Sequence, residues 1–115
     1  MKSNDIAVAF IEFRGSIGGK TRPVLILFEK ENAYHVFPFT TQYKSKSDKI
    51  RRQYYKVKYW QKSGLKKESW IDIGSILRLN KNDYNLIKIG ELSEYDIEGL
   101  IKFYKHWQMG NEKVE

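Results

Sequence analysis

The run Val24-Leu25-Ile26-Leu27-Phe28 has no polar position, and Pro23 stands directly before it. A run with no polar face predicts a strand buried on both sides. Proline fits the first position of such a strand, where no ladder donor is lost. Lys30-Glu31-Asn32 predicts a turn, and Ala33 to Phe39 a returning strand that runs out into Pro38-Phe39-Thr40-Thr41-Gln42. Two buried strands joined by a turn set Arg22 and Thr40 at neighbouring strand ends. A guanidinium offers several donors in a planar fork that fits phosphate oxygens, so with a hydroxyl beside it the two form a phosphate-handling pair.

Around this hairpin the chain predicts a mainly β domain with a C-terminal helix. Asp5 to Phe13 alternates weakly and predicts a first strand. Arg14 to Thr21 holds three glycines and predicts a mobile loop. Thr40 to Arg52 has no periodicity and predicts a further loop. Tyr54 to Trp60 alternates and predicts a fourth strand, with Lys56, Lys58 and Trp60 on one face and Ser63-Gly64 as its turn. Ser69 to Ile73 and Ile76 to Leu79 predict two more strands, with a bend or bulge at Gly74-Ser75. Tyr84 to Gly90 is ambiguous and has room for one short strand. Ser93 is placed to cap a helix with Glu94 and Asp96 in its first turn. Ile97, Leu100, Ile101 and Tyr104 then recur at helical spacing, Gly99 weakens that helix and Gly110 ends it. Residues 1–110 are expected to form one domain, and 111–115 a frayed tail.

At 115 residues and 41% hydrophobic content, the chain can bury one modest core. No apolar run is long enough to span a bilayer, and Met1 to Asp5 lacks a signal-peptide core, which predicts a cytoplasmic protein. Without cysteine there is no disulfide framework and no thiolate metal site. The net charge is +7, and ten of the 21 Lys and Arg residues fall between Lys44 and Lys67, where Asp48 is the one acid. Tyr43, Tyr54, Tyr55, Tyr59 and Trp60 are interleaved with them. Cations attract phosphates and aromatic faces stack on unpaired bases, so this window predicts a nucleic-acid surface; the competing reading is a solvated loop followed by a half-buried strand.

Four blocks resemble the MazF/PemK (Kid-like) toxins. Gly19-Lys20-Thr21-Arg22-Pro23-Val24-Leu25-Ile26-Leu27 resembles their G-x-R-P segment, and Pro38-Phe39-Thr40-Thr41-Gln42 their P-x-T-[TS] segment. Gly64-Leu65 leading to Ser69-Trp70-Ile71, and Ile89-Gly90-Glu91-Leu92-Ser93 before the helix, resemble the third and last blocks, in family order. The resemblance implies an SH3-like small β-barrel with appended helices, usually a homodimer. It implies the toxin half of a toxin–antitoxin pair that cuts single-stranded RNA without a metal or other cofactor. The implied antitoxin reaches its toxin through a flexible acidic tail. The chain departs from the family in having no acid between Arg14 and Thr21, and in the basic, aromatic stretch Tyr43 to Trp60.

The resemblance makes Arg22 and Thr40 the catalytic residues. Arg22 would stabilise the charged phosphorane and Thr40 would hold a phosphate oxygen, while the 2′-hydroxyl attacks and leaves a 2′,3′-cyclic phosphate. An arginine pKa above about 12 favours an electrostatic role over proton transfer. Lys20, Thr41, Gln42, Lys56, Lys58 and Trp60 are the expected substrate contacts, Trp60 as the stacking face. Trp70 and Trp107 are expected in the core or an interface. His35 and His106 have no partner at acid–base spacing and are read as incidental. Gly19-Lys20-Thr21 is not a phosphate loop, because the pattern requires glycine where Arg14 stands. Two alternatives remain: a non-catalytic nucleic-acid-binding barrel, and a toxin of the same fold acting on a protein such as a topoisomerase.

Overall fold

The computed structural model describes the backbone of residues 1–12 and 19–112, and side chains of residues 1–10 and 21–110. Among these residues, seven strands form one antiparallel sheet: β1 (Asp5–Glu12), β2 (Gly19–Lys30), β3 (Ala33–Thr40), β4 (Tyr54–Lys56), β5 (Trp70–Asp72), β6 (Leu77–Asn80) and β7 (Ile87–Glu91). Two helices join them, α1 (Asp48–Arg51) and α2 (Glu94–Glu112). The hydrogen-bonded order is β4-β5-β3-β2-β1-β7, with β6 also on β3. This path does not return on itself, so the pairing among the described strands is that of an open sheet and not of a closed barrel.

The central hairpin sets everything else. β2 and β3 meet at Lys30↔Ala33 through Glu31 and Asn32, whose φ values of 53° and 57° are both left-handed. That is the geometry of a two-residue hairpin turn whose twist matches its strands. Val24, Leu25 and Ile26 are fully buried, as a run with no polar face requires. Leu25 packs with Ile6, Phe37, Phe39 and Ile71 on one face, which α2 covers. Val24 and Ile26 pack with Ala7, Ala9, Val36 and Leu79 on the other. Phe28 departs from the expectation and is 47% exposed. The register shifts between Ile26 and Phe28, so Leu27 is an extra residue that reverses the facing of the rest of the strand. Phe28 then lies outside, stacked on His35 with centroids 4.4 Å apart.

β3 serves two partners along one edge. Its first half pairs with β6 (Ala33↔Asn80 to Val36↔Leu77) and its last two residues pair with β5 (Phe39↔Ile71, Thr40↔Trp70). Gly74-Ser75 lies at the corner between them, as the sequence predicts.

Several boundaries differ from the sequence reading, each for a local reason. Gly19 to Thr21 are not loop but the first residues of β2, opposite Glu12, Ile11 and Phe10; residues 14–18 of the expected loop, and Phe13 of the expected first strand, lie outside the described residues. The loop after Thr40 contains a helical turn, α1, whose cap Ser47 accepts from the Ile50 amide. α2 runs past Gly110 to Glu112, so that glycine does not end it, and 113–115 of the expected tail lie outside the described residues.

β4 stops at Lys56 because Asp96 takes the amides of Lys58 and Tyr59. These N–H groups donate to the Asp96 carboxylate at 2.9 and 3.0 Å, which ends the ladder and seats the first turn of α2. The Tyr55 and Ser93 hydroxyls donate to it as well, at 2.9 and 2.8 Å, and the Ser93 oxygen accepts from the Asp96 amide. Asp96 is fully buried. Burial alone would raise its pKa, but those four donors outweigh it and the net shift is downward. The Tyr55 phenol is pushed well up, by burial and then by the carboxylate it donates to. Gly99 answers to the same arrangement, since a Cβ there would stand 2.4 Å from the Tyr55 hydroxyl.

The third and fourth sequence blocks meet at their glycines. A Cβ on Gly64 would lie 2.3 Å from the Ile89 carbonyl oxygen, and one on Gly90 would lie 2.0 Å from that of Ser63. Gly64 also holds a φ of 88°.

Candidate functional site

The β2–β3 pairing ends at Val24↔Pro38. The same register carried two residues further would set Arg22 across from Thr40, but the strands part there. Arg22 stays paired with Ala9 of β1, and Thr40 pairs with Trp70 of β5. Between them opens a cleft of about 210 Å³ lined by Arg22, Pro23, Thr40, Thr41, Gln42 and Ser69, with Thr21 and Phe39 completing it. Arg22 is exposed and, among the described residues, its guanidinium has no ion pair or hydrogen bond. The Thr40 oxygen accepts from the Gln42 amide at 3.0 Å, which leaves its hydroxyl hydrogen to donate into the cleft. Thr41 and Gln42 lie on the same lining, Thr41 exposed and Gln42 with it.

Ser69 was not among the expected contacts. It is 3% exposed, its hydroxyl donates to the Lys67 carbonyl at 2.8 Å, and it forms part of the cleft wall. The signal was present, for Ser69 is the serine of the third block.

The other expected contacts lie elsewhere. The Lys20 backbone pairs with Ile11, while its side chain lies outside the described residues. Lys56 is opposite Trp70 on the far side of β5 from Thr40, and its ammonium pairs with Glu68 at 3.2 Å. The Lys58 ammonium lies over the Tyr95 and Tyr59 rings, 4.6 and 5.5 Å from their centroids. Trp60 is half-buried and packs against the core, so it is no open stacking face; it left the predicted alternation when β4 ended at Lys56. His35 and His106 do not line the cleft.

The aromatics of the basic window are engaged with the protein itself. Tyr43 stacks on Trp70 with centroids 4.9 Å apart and planes 7° from parallel, and Tyr54 leans on Tyr43 at 6.4 Å. Tyr55 meets Phe103 edge-on, and Tyr59 meets Tyr95. Most of these rings thus pack on other rings of the protein, while Tyr59 stays 36% exposed.

No group of three or more His, Cys, Asp or Glu side chains among the described residues converges where a metal ion would bind. No helix among them is long and apolar enough to cross a membrane. No protein-family model matches the chain, and no curated protein sequence matches it.

Proposed function

We propose that the chain is a toxin endoribonuclease of the MazF/PemK kind, a cytoplasmic enzyme that cuts single-stranded RNA at the Arg22–Thr40 cleft. One observation carries the reading: a guanidinium with no partner among the described residues shares a cleft with a hydroxyl whose oxygen already accepts a hydrogen bond. Both groups are poised to donate, and a phosphodiester is the acceptor they fit.

In this reading the Arg22 guanidinium binds the non-bridging oxygens and stabilises the dianionic phosphorane. Thr40 donates to one of those oxygens and holds the phosphate in line. The 2′-hydroxyl attacks phosphorus and its proton passes to solvent, since the described cleft lining holds no imidazole or carboxylate. The P–O5′ bond breaks, the 5′ oxygen takes a proton from solvent, and a 2′,3′-cyclic phosphate remains upstream. No metal ion is needed for these roles. Thr41 and Gln42 are placed to contact the flanking sugar or base. The SH3-like character of the fold belongs to the same proposal, supported by the order of the four blocks.

A homodimer and an antitoxin with an acidic tail complete the reading. An apolar cleft of about 480 Å³ beside α2, with Phe28, Ile76 and Ile101 exposed around it, supports the dimer. The surplus of cations supports an acidic partner.

The test is labelled single-stranded RNA with purified protein in excess EDTA. The expected result is discrete cuts bearing 2′,3′-cyclic phosphate ends, absent with Arg22→Ala. Salt-sensitive binding without cuts would instead support the non-catalytic module.

A further inference from the structure

The segment that follows Thr40 is folded around one arginine. Arg51 donates through Nε to the Tyr43 carbonyl at 3.1 Å and through Nη2 to the Lys44 carbonyl. Its guanidinium lies 5.2 Å from the Tyr43 ring centroid, and Asp48 stands 3.9 Å from it. Tyr43 is in turn stacked on Trp70, the residue paired with Thr40. The segment is thus tied to the strand end that bears Thr40, and three residues of chain reach at most about 11 Å.

Arg51 is engaged by this arrangement, and the neighbouring cations are not. Lys44, Lys46, Lys49 and Arg52 are exposed and have no carboxylate partner among the described residues. The one acid of the segment, Asp48, faces Arg51. Arg52 lines a second cleft, of about 310 Å³, with Tyr43, Asp48 and Arg51. Arg51 and Arg52 stand together on that lining, and an anion bound there offsets the repulsion between the two guanidiniums. The Tyr43 ring is already covered by Trp70, so the site offers charge and not a stacking platform.

We propose that this cleft is a second phosphate site, in which Arg52 binds the backbone phosphate of a nucleotide flanking the one held at Arg22 and Thr40. The site rests on the reading of the chain as an RNA-cleaving protein and extends it. It sets affinity for longer strands without reading their sequence, because phosphate contacts carry no base information. Arg51 is the positioning residue that holds the site open.

A fluorescein-labelled, random-sequence 2′-O-methyl RNA 12-mer cannot be cut by 2′-hydroxyl attack and serves as the probe. Its affinity is measured against salt for the wild type, Arg52→Ala, Arg52→Lys and Arg22→Ala. Arg52→Ala is expected to bind about 5- to 10-fold more weakly and to lower the slope of log affinity against log salt by about 0.7, the share of one phosphate contact. Arg52→Lys is expected to restore the slope, and Arg52→Ala to leave the thermal midpoint unchanged. On cleavable RNA, Arg52→Ala should raise KM for long strands, leave kcat alone, and not affect a dinucleotide. Unchanged affinity and slope in Arg52→Ala, with Arg22→Ala still impaired, would overturn the second site and leave the proposed function standing. Arg52-dependent binding with no cleavage of any RNA would remove the nuclease reading and keep the site. Loss in Arg52→Ala of binding to a glutamate-rich peptide, but not to RNA, would assign the cleft to a protein partner and overturn the proposal, as would absence of RNA binding in the wild type.

Discussion

Asp96 and Arg22 are both charged side chains near the ends of secondary-structure elements, and they differ in what surrounds them. Asp96 is fully buried, faces no cation within salt-bridge distance among the described residues, and accepts from two amides and two hydroxyls. Arg22 is exposed on a cleft, and its guanidinium has no ion pair or hydrogen bond among the described residues. A buried charge is tolerable only when its hydrogen-bonding capacity is filled, so Asp96 belongs to the architecture. A charge left with open donors beside a second donor is prepared for something from outside. Saturation separates the two, and variants should respond along that line.

The largest effect is expected at Asp96. Asp96→Ala removes the acceptor for four donors and should destabilise the fold by about 3–5 kcal/mol, a large part of a typical domain's stability. Chemical denaturation measures it, and a loss below about 1 kcal/mol would break the contrast from the structural side. Next comes Arg22→Ala, with the proposed RNA cleavage slowed about 100- to 1000-fold and the denaturation midpoint unmoved. A variant that lost stability and activity together would show Arg22 to be architectural as well.

The acid limb is next in size. The Asp96 pKa is depressed in the folded state, and so is that of Asp5, where the Lys2 amide and the Lys88 ammonium outweigh burial. A depressed carboxylate contributes stability above its unfolded pKa of about 3.9, and that contribution is lost as pH falls through the folded value. The thermal midpoint should therefore hold between about pH 8 and 5 and drop below about pH 4, with a shallower drop in Asp96→Asn. The smallest effect belongs to Lys56→Ala, which breaks an exposed pair with Glu68 and should change stability by less than about 0.5 kcal/mol.

The hairpin, the corner at Gly74-Ser75 and the helix start were legible because each rests on chemistry local to a few residues. The convergence of Arg22 and Thr40 on one cleft was legible only as two neighbouring strand ends, because the register there is set by the bulge at Leu27 as well as by the turn. What escaped was set by contacts distant in sequence. Nothing near Tyr59 announces that Asp96, 37 residues on, will take its amide and end β4. The misplaced facing of Trp60 came from that. Phe28 was misjudged because the bulge at Leu27 leaves no trace in hydrophobic periodicity. α1 was missed because four residues are too few to show a period, and Arg51 closes that turn with carbonyls eight and seven residues back.

Gly64 and Gly90 each stand where the other's neighbouring carbonyl leaves no room for a single methyl. A lesion at one cannot be relieved by trimming the other, which already has no side chain to give up. In a genetic screen the pair should therefore appear as two sites of intolerance with no reciprocal suppressors, and any revertant should map to the backbone of the turns that bring them together.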